Sequence, residues 1–334
     1  MATKLLVLGL LISLVTSIDA QVGVCYGRNG DGLPSEQDVV GLYRNSGITK
    51  MRIYDPDQAT LQALKGTNIE LIIGVPNDAL QSLNDQGTAN TWVSNNIVNY
   101  PDVNFKYIAV GNEVDPNNGD AQYVNFVLPA MRNVQNAISA AGLGNQIKVS
   151  TATYSGLLGS SSPPSNGAFK ANVVGYIQPI ISFLVENNSP MLANIYSYFA
   201  NPGSNLPYAL FTASGTVVTD TNGLQYSNLF DAVLDAHYAA QARLGGGNLK
   251  IVVSESGWPS AGDPLATPEN AGTYYRNLIG HVSGTTGTPL KPGSSIETYL
   301  FAMFDENKKT GAESEQHFGI FSLDQQNKYQ LSFN

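Results

Sequence analysis

The chain of 334 residues contains little cysteine and little histidine. Its single cysteine, Cys25, cannot form an internal disulfide, so we expect a large hydrophobic core to stabilise the fold instead. Cys25 lies in an apolar strand-like run, which indicates a buried and inert thiol. The three histidines, His237, His281 and His317, lie far apart without metal-ligand spacing, and we expect neither a metal nor a cofactor.

Charge is also sparse, at 13% of the residues, and the formal net charge is −9. An acidic chain without a basic cluster argues against nucleic acid and anionic membranes as partners, and leaves neutral ligands such as carbohydrates open. The sequence lacks the glycine-rich phosphate loops G-x-G-x-x-G and G-x-x-x-x-G-K-[ST], which disfavours nucleotide binding. It also lacks the G-x-S-x-G turn of serine hydrolases.

The first twenty residues have the pattern of a secretory signal peptide. Lys4 gives a positive start, residues 5–15 are an apolar run too short for a membrane span, and residues 17–20 form a plausible cleavage zone, with Ile18 larger than usual there. Cleavage after Ala20 would expose Gln21, which can cyclise to pyroglutamate. We therefore expect a secreted, extracellular protein without membrane association after cleavage. The alternative is that this run is the first core strand of an intracellular protein.

Strand-like and helical patterns alternate along residues 21–334. Eight apolar strand-like runs cover residues 22–26, 50–54, 70–75, 105–110, 148–153, 191–196, 251–254 and 296–301. Helical patterns cover residues 35–45, 58–64, 91–98, 122–141, 173–186, 229–244 and 271–281. This alternation predicts an α/β fold, a single-domain (β/α)8 TIM barrel with a small aromatic-rich insertion after the sixth strand. A doubly wound sheet is the alternative, but such a fold would be expected to carry a glycine-rich phosphate loop after an early strand, and the sequence lacks one.

Two of these runs end at a glutamate. Glu255 follows three apolar residues and a serine and precedes Ser-Gly-Trp-Pro, and Glu113 follows a strand-like run and Gly-Asn. In a barrel both would face the mouth at the carboxyl ends of the strands. Glycoside cleavage needs a carboxylic acid and a carboxylate in such a place. The structural alternatives are a turn or ion-pair role for Glu255 and a helix-capping role for Glu113.

Aromatic and charged side chains also follow predicted strand ends. Sugar rings stack on aromatic faces, and the candidates are Tyr54, Tyr196, Phe199 and Trp258, although a buried core position is the alternative for each. Glu297 lies in an apolar run, so it needs an ionic partner or points into the mouth. Lys308 is expected to pair with Glu306 or with a site carboxylate, the alternative being a solvated surface.

Five stretches together resemble the plant β-1,3-glucanases of glycoside hydrolase family seventeen. They are Val-Gly-Val-Cys-Tyr-Gly at residues 22–27, Met-Arg-Ile-Tyr-Asp at 51–55, Tyr-Ile-Ala-Val-Gly-Asn-Glu at 107–113, Val-Val-Ser-Glu-Ser-Gly-Trp-Pro at 252–259 and Glu-Thr-Tyr-Leu-Phe-Ala-Met-Phe-Asp-Glu-Asn at 297–307. The resemblance spans essentially all of residues 21–334. One departure is Ser197, where the family often has proline, and this affects the expected shape of the cleft.

The resemblance implies a (β/α)8 barrel that hydrolyses internal β-1,3-glucan bonds with retention of anomeric configuration. Glu113 is then the general acid/base and Glu255 the nucleophile, about 5–5.5 Å apart, as retaining enzymes require. Supporting or substrate-binding positions are implied for Asn112, Glu297, Glu306 and Lys308.

The resemblance also bears on location and partners. The chain stops soon after residues 329–333, without the C-terminal extension of basic vacuolar members, which with its acidity favours the cell wall space. We expect a monomer that acts on β-1,3-glucan in defence or callose turnover. A mixed-linkage 1,3;1,4-β-glucanase and a non-catalytic glucan-binding wall protein remain as alternatives.

Overall fold

Eight parallel strands close into a barrel in the computed structural model, which describes residues 22–201 and 203–333. The predicted signal peptide, residues 1–20, lies outside these residues. The strands, first to eighth in chain order, are Val22–Cys25, Lys50–Ile53, Glu70–Val75, Asn104–Asn112, Lys148–Tyr154, Met191–Asn194, Ile251–Ser256 and Thr298–Leu300. Each pairs with its neighbours in sequence, and the first pairs with the eighth, which closes the ring. The predicted TIM barrel is thus confirmed.

Helices connect the strands and cover the outside of the barrel. They are Glu36–Asn45, Gln58–Leu64, Gln86–Val93, Val124–Ala140, Ala171–Glu186, Leu229–Arg243 and Pro268–Val282. After the eighth strand the short 3-10 helix Glu313–Gln316 stands in place of a longer helix. None of the helices in the described part of the chain has the length and apolar character needed to cross a bilayer.

Side-chain caps explain where several helices begin. Ser35 accepts a hydrogen bond from the Asp38 backbone N–H, and Asp57 caps the second helix in the same way. The third helix begins earlier than residue 91, where the apolar pattern placed it. Asp85 caps it through the Thr88 N–H, so the helix starts at Gln86 and residues 94–98 form a π-helical turn.

The insertion predicted after the sixth strand is present. It contains the short helices Ser197–Ala200 and Leu206–Ala209 and a hairpin of Val218–Thr219 with Gln225–Tyr226. A second, smaller excursion follows the fifth strand, where Leu158–Ser160 pairs with residues 168–169. Both excursions leave the carboxyl ends of the strands, so they shape the mouth and leave barrel closure unaffected.

The amino-terminal end of the barrel is closed by a cluster of charged side chains around the buried Glu297. This glutamate is 2% exposed and directly precedes the eighth strand. Its carboxylate lies 3.4 Å from the Nζ of both Lys106 and Lys250 and 3.9 Å from that of Lys50, which also pairs with Glu70. The structure therefore corrects the expected position of Glu297 beside the substrate, because its lysine partners lie at the starts of the second, fourth and seventh strands, at the opposite end from the mouth.

We predict that Glu297→Gln lowers stability and leaves the chemistry at the mouth unchanged. Loss of the buried charge weakens the cluster, although Glu70 still pairs with Lys50 and Lys106, so we expect a cost of about 2 kcal/mol. Denaturant unfolding measures the loss. Lys250→Met is the matched control, because that half-exposed lysine should contribute less than about 1 kcal/mol. A stable Glu297→Gln protein with impaired turnover would contradict this position for the residue.

Candidate active site

A cleft of about 1130 Å³ opens at the carboxyl ends of the barrel strands. The carboxyl end of each of the eight strands, or the segment that follows it, contributes to its lining, which is the usual construction of a TIM-barrel site. Both Glu113 and Glu255 lie in this cleft. In the described residues there is no group of three or more His, Cys, Asp or Glu side chains that could hold a metal ion.

Glu255 is held by three donors. The Tyr54 hydroxyl donates to its Oε1 at 2.8 Å, and the Tyr196 hydroxyl donates to its Oε2 at 2.7 Å. Nη1 of Arg52 lies 2.9 Å from the same Oε1. Glu255 is only 6% exposed and Arg52 1%. An ionised carboxylate is an acceptor-only group, so this set of donors suits Glu255 in its charged form.

Glu113 is in a different setting at the end of the fourth strand. Its backbone has φ of 53°, a left-handed conformation that is uncommon for a glutamate and turns its side chain out of the strand direction. Asn194 Nδ2 donates to its Oε1 at 2.7 Å. Burial and the nearby charge of Glu255 raise the pKa of Glu113 to about 7, against the lowering effects of Asn194, Arg52 and Lys309. Near neutral pH this carboxyl therefore carries a proton much of the time.

A buried network joins the two glutamates. Arg52 Nη1 donates to Asn194 Oδ1 at 2.9 Å, and Arg52 Nη2 donates to Asn112 Oδ1 at 2.7 Å. Since Asn194 also reaches Glu113 and Arg52 also reaches Glu255, each carboxyl is fixed relative to the other. Sequence reasoning missed Arg52 and Asn194. The available signal was an arginine and an asparagine inside otherwise apolar strands, where a polar group needs a specific partner.

Several predicted substrate-binding residues do line the cleft, namely Tyr54, Asn112, Tyr196, Phe199 and Glu306. Phe199 is 57% exposed. The centre of its ring lies 5.2 Å from the centre of the Tyr196 ring and 6.2 Å from that of the Phe318 ring. It is therefore an aromatic face held in place by other rings and open to a ligand.

Trp258 is positioned differently from the expectation. It is fully buried, its Nε1 donates to the Leu265 carbonyl at 2.9 Å, and its ring lies 5.2 Å from that of Tyr198. Trp258 does not line the cleft and instead anchors the base of the insertion. The core position, which is the default for an aromatic residue, is the one observed.

The lysines after the eighth strand also correct an expectation. Lys308 was expected to pair with Glu306, but it lies on the surface, 2.6 Å from Asp31. Its neighbour Lys309 lines the cleft, lies 3.3 Å from Glu306 and places its Nζ 4.0 Å from the centre of the Phe301 ring. The chain turns at residues 307–308, where the Lys309 N–H donates to the Glu306 carbonyl at 3.0 Å, and the sequence pattern could not decide which lysine points inward.

Glu306 is packed tightly against the loop after the first strand. It is 4% exposed and accepts a hydrogen bond from the Asn29 backbone N–H at 3.1 Å. A Cβ at Gly27 would overlap the Glu306 carboxylate, so only glycine fits at that position. Glu306 thus forms a buried part of the cleft lining and is paired with Lys309.

Comparison with known proteins agrees with this geometry. The model of the glycosyl hydrolases family 17 matches residues 22–333. The chain belongs to this family. It is 61% identical to a glucan endo-1,3-beta-glucosidase of Vitis vinifera, over 98% of this chain and 96% of the relative. It is 56% identical to an acidic isoform of glucan endo-1,3-beta-glucosidase from Nicotiana tabacum, over 100% and 97% of the two chains.

Solved structures of the family share the fold closely. A beta-1,3-glucanase and allergen of Cryptomeria japonica pollen superposes with a TM-score of 0.91 at 49% identity, covering 94% of this chain and 99% of the other. A structure from a pair of plant beta-glucan endohydrolases with distinct substrate specificities gives 0.87 at 46% identity, covering 93% and 99%. The family 17 assignment made from sequence motifs is confirmed.

We predict that Lys309→Met raises the pKa of Glu113. The positive charge of Lys309 lowers this pKa, so its loss should raise the value. Carbon-13 NMR titration of labelled glutamate would measure the change. Lys308→Met is the matched control, and equal shifts in both variants would contradict the assigned positions of the two lysines.

Proposed function

We propose that this family 17 glycosyl hydrolase cleaves internal β-1,3-glucosidic bonds of β-1,3-glucans, such as callose or fungal wall glucan, with retention of configuration. The observation that carries the proposal is the contrast between two carboxyls in one cleft. Glu113 has a pKa raised to about 7, while Glu255 is surrounded by a cation and two phenol hydroxyls. Such a pair supplies one proton donor and one charged nucleophile near neutral pH.

In the first step Glu255 attacks the anomeric carbon and forms a covalent glycosyl-enzyme. Its Oε2 has Tyr196 as its donor, whereas Oε1 accepts from both Tyr54 and Arg52. Oε1 thus serves to hold the side chain, and Oε2 is the less encumbered oxygen for the attack. Glu113 donates its proton to the departing glycosidic oxygen, which allows the bond to break without forming an alkoxide.

In the second step water attacks the same carbon from the side of Glu113. Glu113, now ionised, takes a proton from the water, and the bond to Glu255 breaks. Two inversions at one carbon give net retention. Asn194 stays within hydrogen-bond distance of Glu113 and keeps its carboxyl directed at the reacting oxygen in both steps.

The cleft is suited to a long neutral polymer. Its lining draws on the carboxyl ends of all eight strands or the segments that follow them, and the exposed ring of Phe199 offers a face for a sugar unit. The relatives at 61% and 56% identity are named glucan endo-1,3-beta-glucosidases, which supports β-1,3-glucan as the substrate. We further propose a secreted monomer with a role in wall turnover or defence.

We expect the protein to release reducing sugar from linear β-1,3-glucan and Glu255→Gln to lose at least about 10³-fold in turnover, because no nucleophile remains. Thermal unfolding of the variant should show that the fold is intact. Mixed-linkage 1,3;1,4-β-glucan is the comparison substrate, since a related structure belongs to plant endohydrolases with distinct specificities. Better release from that polymer would move the assignment to the mixed-linkage activity. Binding of glucan without release from either polymer would make the chain a glucan-binding protein.

The retaining mechanism predicts that the first product is the β-anomer. Proton NMR of the newly formed reducing end, recorded within minutes of mixing, distinguishes β from α before mutarotation. An α-anomer would show single-step inversion, for which the carboxyls would need to be roughly 6.5–9.5 Å apart. The same assay over pH should show kcat/KM declining as pH rises through about 7, as Glu113 loses the proton that it must donate.

A further inference from the structure

Tyr154 lies in the cleft at the end of the fifth strand and is held in one orientation by a buried carboxylate. Its hydroxyl donates to Asp115 Oδ2 at 2.6 Å. Asp115 is 2% exposed, and its Oδ1 accepts from both the backbone N–H and the side-chain amide of Asn117, at 2.8 and 2.7 Å. Burial raises the pKa of Asp115, but these hydrogen bonds hold it below its usual value, so the carboxylate that fixes Tyr154 is charged.

Gly156 gives the ring the space that it occupies. A Cβ at Gly156 would overlap the outer edge and hydroxyl of the Tyr154 ring. The ring therefore lies across the backbone of the loop that follows the fifth strand, and any larger residue at 156 would displace it. Two independent constraints, the Asp115 hydrogen bond and the missing side chain at 156, fix one aromatic ring in the cleft.

This ring and Phe199 are each associated with a different one of the two glutamates. Tyr154 is bonded to Asp115, two residues beyond Glu113, and the fifth strand pairs directly with the fourth. Phe199 packs on Tyr196, which donates to Glu255, and on Phe318, which follows the eighth strand. One aromatic face thus belongs to the acid side of the cleft and the other to the nucleophile side.

The proposed chemistry distinguishes these sides. Glu113 protonates the departing oxygen, so the sugar that carries this oxygen must lie next to Glu113. The sugar attacked by Glu255 lies on the other side. We propose that Tyr154, fixed by Asp115 and Gly156, binds the sugar unit on the leaving-group side, and that the reducing end of the bound glucan therefore points over the fifth strand. This inference rests on the proposed function and deepens it.

The experiment measures how the glycosyl-enzyme is partitioned between water and a sugar acceptor. The donor is the β-fluoride of a β-1,3-linked glucose disaccharide. Glu255 bonds to its anomeric carbon as the C–F bond breaks, and fluoride leaves with no sugar on the leaving-group side. A second β-1,3-linked disaccharide then competes with water. Whichever hydroxyl attacks gives its proton to Glu113 while the bond to Glu255 breaks.

The ratio of transfer product to hydrolysis product isolates binding on the leaving-group side. Both reactions use Glu113 as base, so a displaced Glu113 slows both and leaves the ratio unchanged. We expect Tyr154→Ala to lower the ratio about tenfold at fixed acceptor concentration, since it removes roughly 50 Å² of apolar contact with a sugar face. Tyr154→Phe retains the ring and loses only the hydrogen bond, so its ratio should fall about twofold. Gly156→Ala should lower the ratio by displacing the ring.

Phe199→Ala is the matched control. It should raise the KM for the donor and leave the partition ratio near that of the unaltered protein. An unchanged ratio in Tyr154→Ala and Gly156→Ala, or an equal fall in Phe199→Ala, would overturn the assignment of Tyr154. Failure of the proposed function has a separate signature, because the unaltered protein would then release neither fluoride from the donor nor sugar from β-1,3-glucan.

Discussion

The active site depends on one buried cation. Arg52 rises from the second strand with 1% exposure and contacts Glu255, Asn194 and Asn112, which end three other strands. A buried guanidinium is unfavourable without partners, but its planar array of donors can satisfy several acceptors at once. The same contacts that offset its burial also set the positions of the groups proposed to react. The contacts of Arg52 therefore both stabilise the barrel mouth and arrange the site.

Charged side chains have different roles at the two openings of the barrel. At the amino-terminal end, Glu297 and Glu70 are surrounded by lysines and close the bottom of the barrel. At the mouth, positive charge is limited, so that Glu255 is held tightly while Glu113 has a raised pKa. This division explains why a glutamate in the motif shared with the family, Glu297, lies far from the cleft.

Much of the fold followed from sequence because parallel strands buried on both faces leave continuous apolar runs. The carboxylates at the ends of two such runs were identified for the same reason. What the sequence left open were directions of side chains in loops. Trp258 follows a strand, yet it turns into the core, and Lys308 rather than Lys309 was assigned to the site. These outcomes depend on tertiary contacts with Leu265, Tyr198 and Asp31, which no local pattern contains. Likewise, the role of Tyr154 depends on Asp115, which is distant in sequence and adjacent only in the barrel.

The electrostatic coupling of the two glutamates has a consequence for the timing of the reaction. The charge of Glu255 is one reason why Glu113 retains a proton. In the proposed mechanism Glu255 becomes an ester, so that charge disappears and the proton affinity of Glu113 falls at the moment when a base is needed. Formation of the covalent bond thus determines when Glu113 changes from proton donor to proton acceptor. The two steps of the proposed reaction can therefore follow each other without movement of a loop. A rigid barrel favours this, because it keeps the two glutamates at a fixed separation.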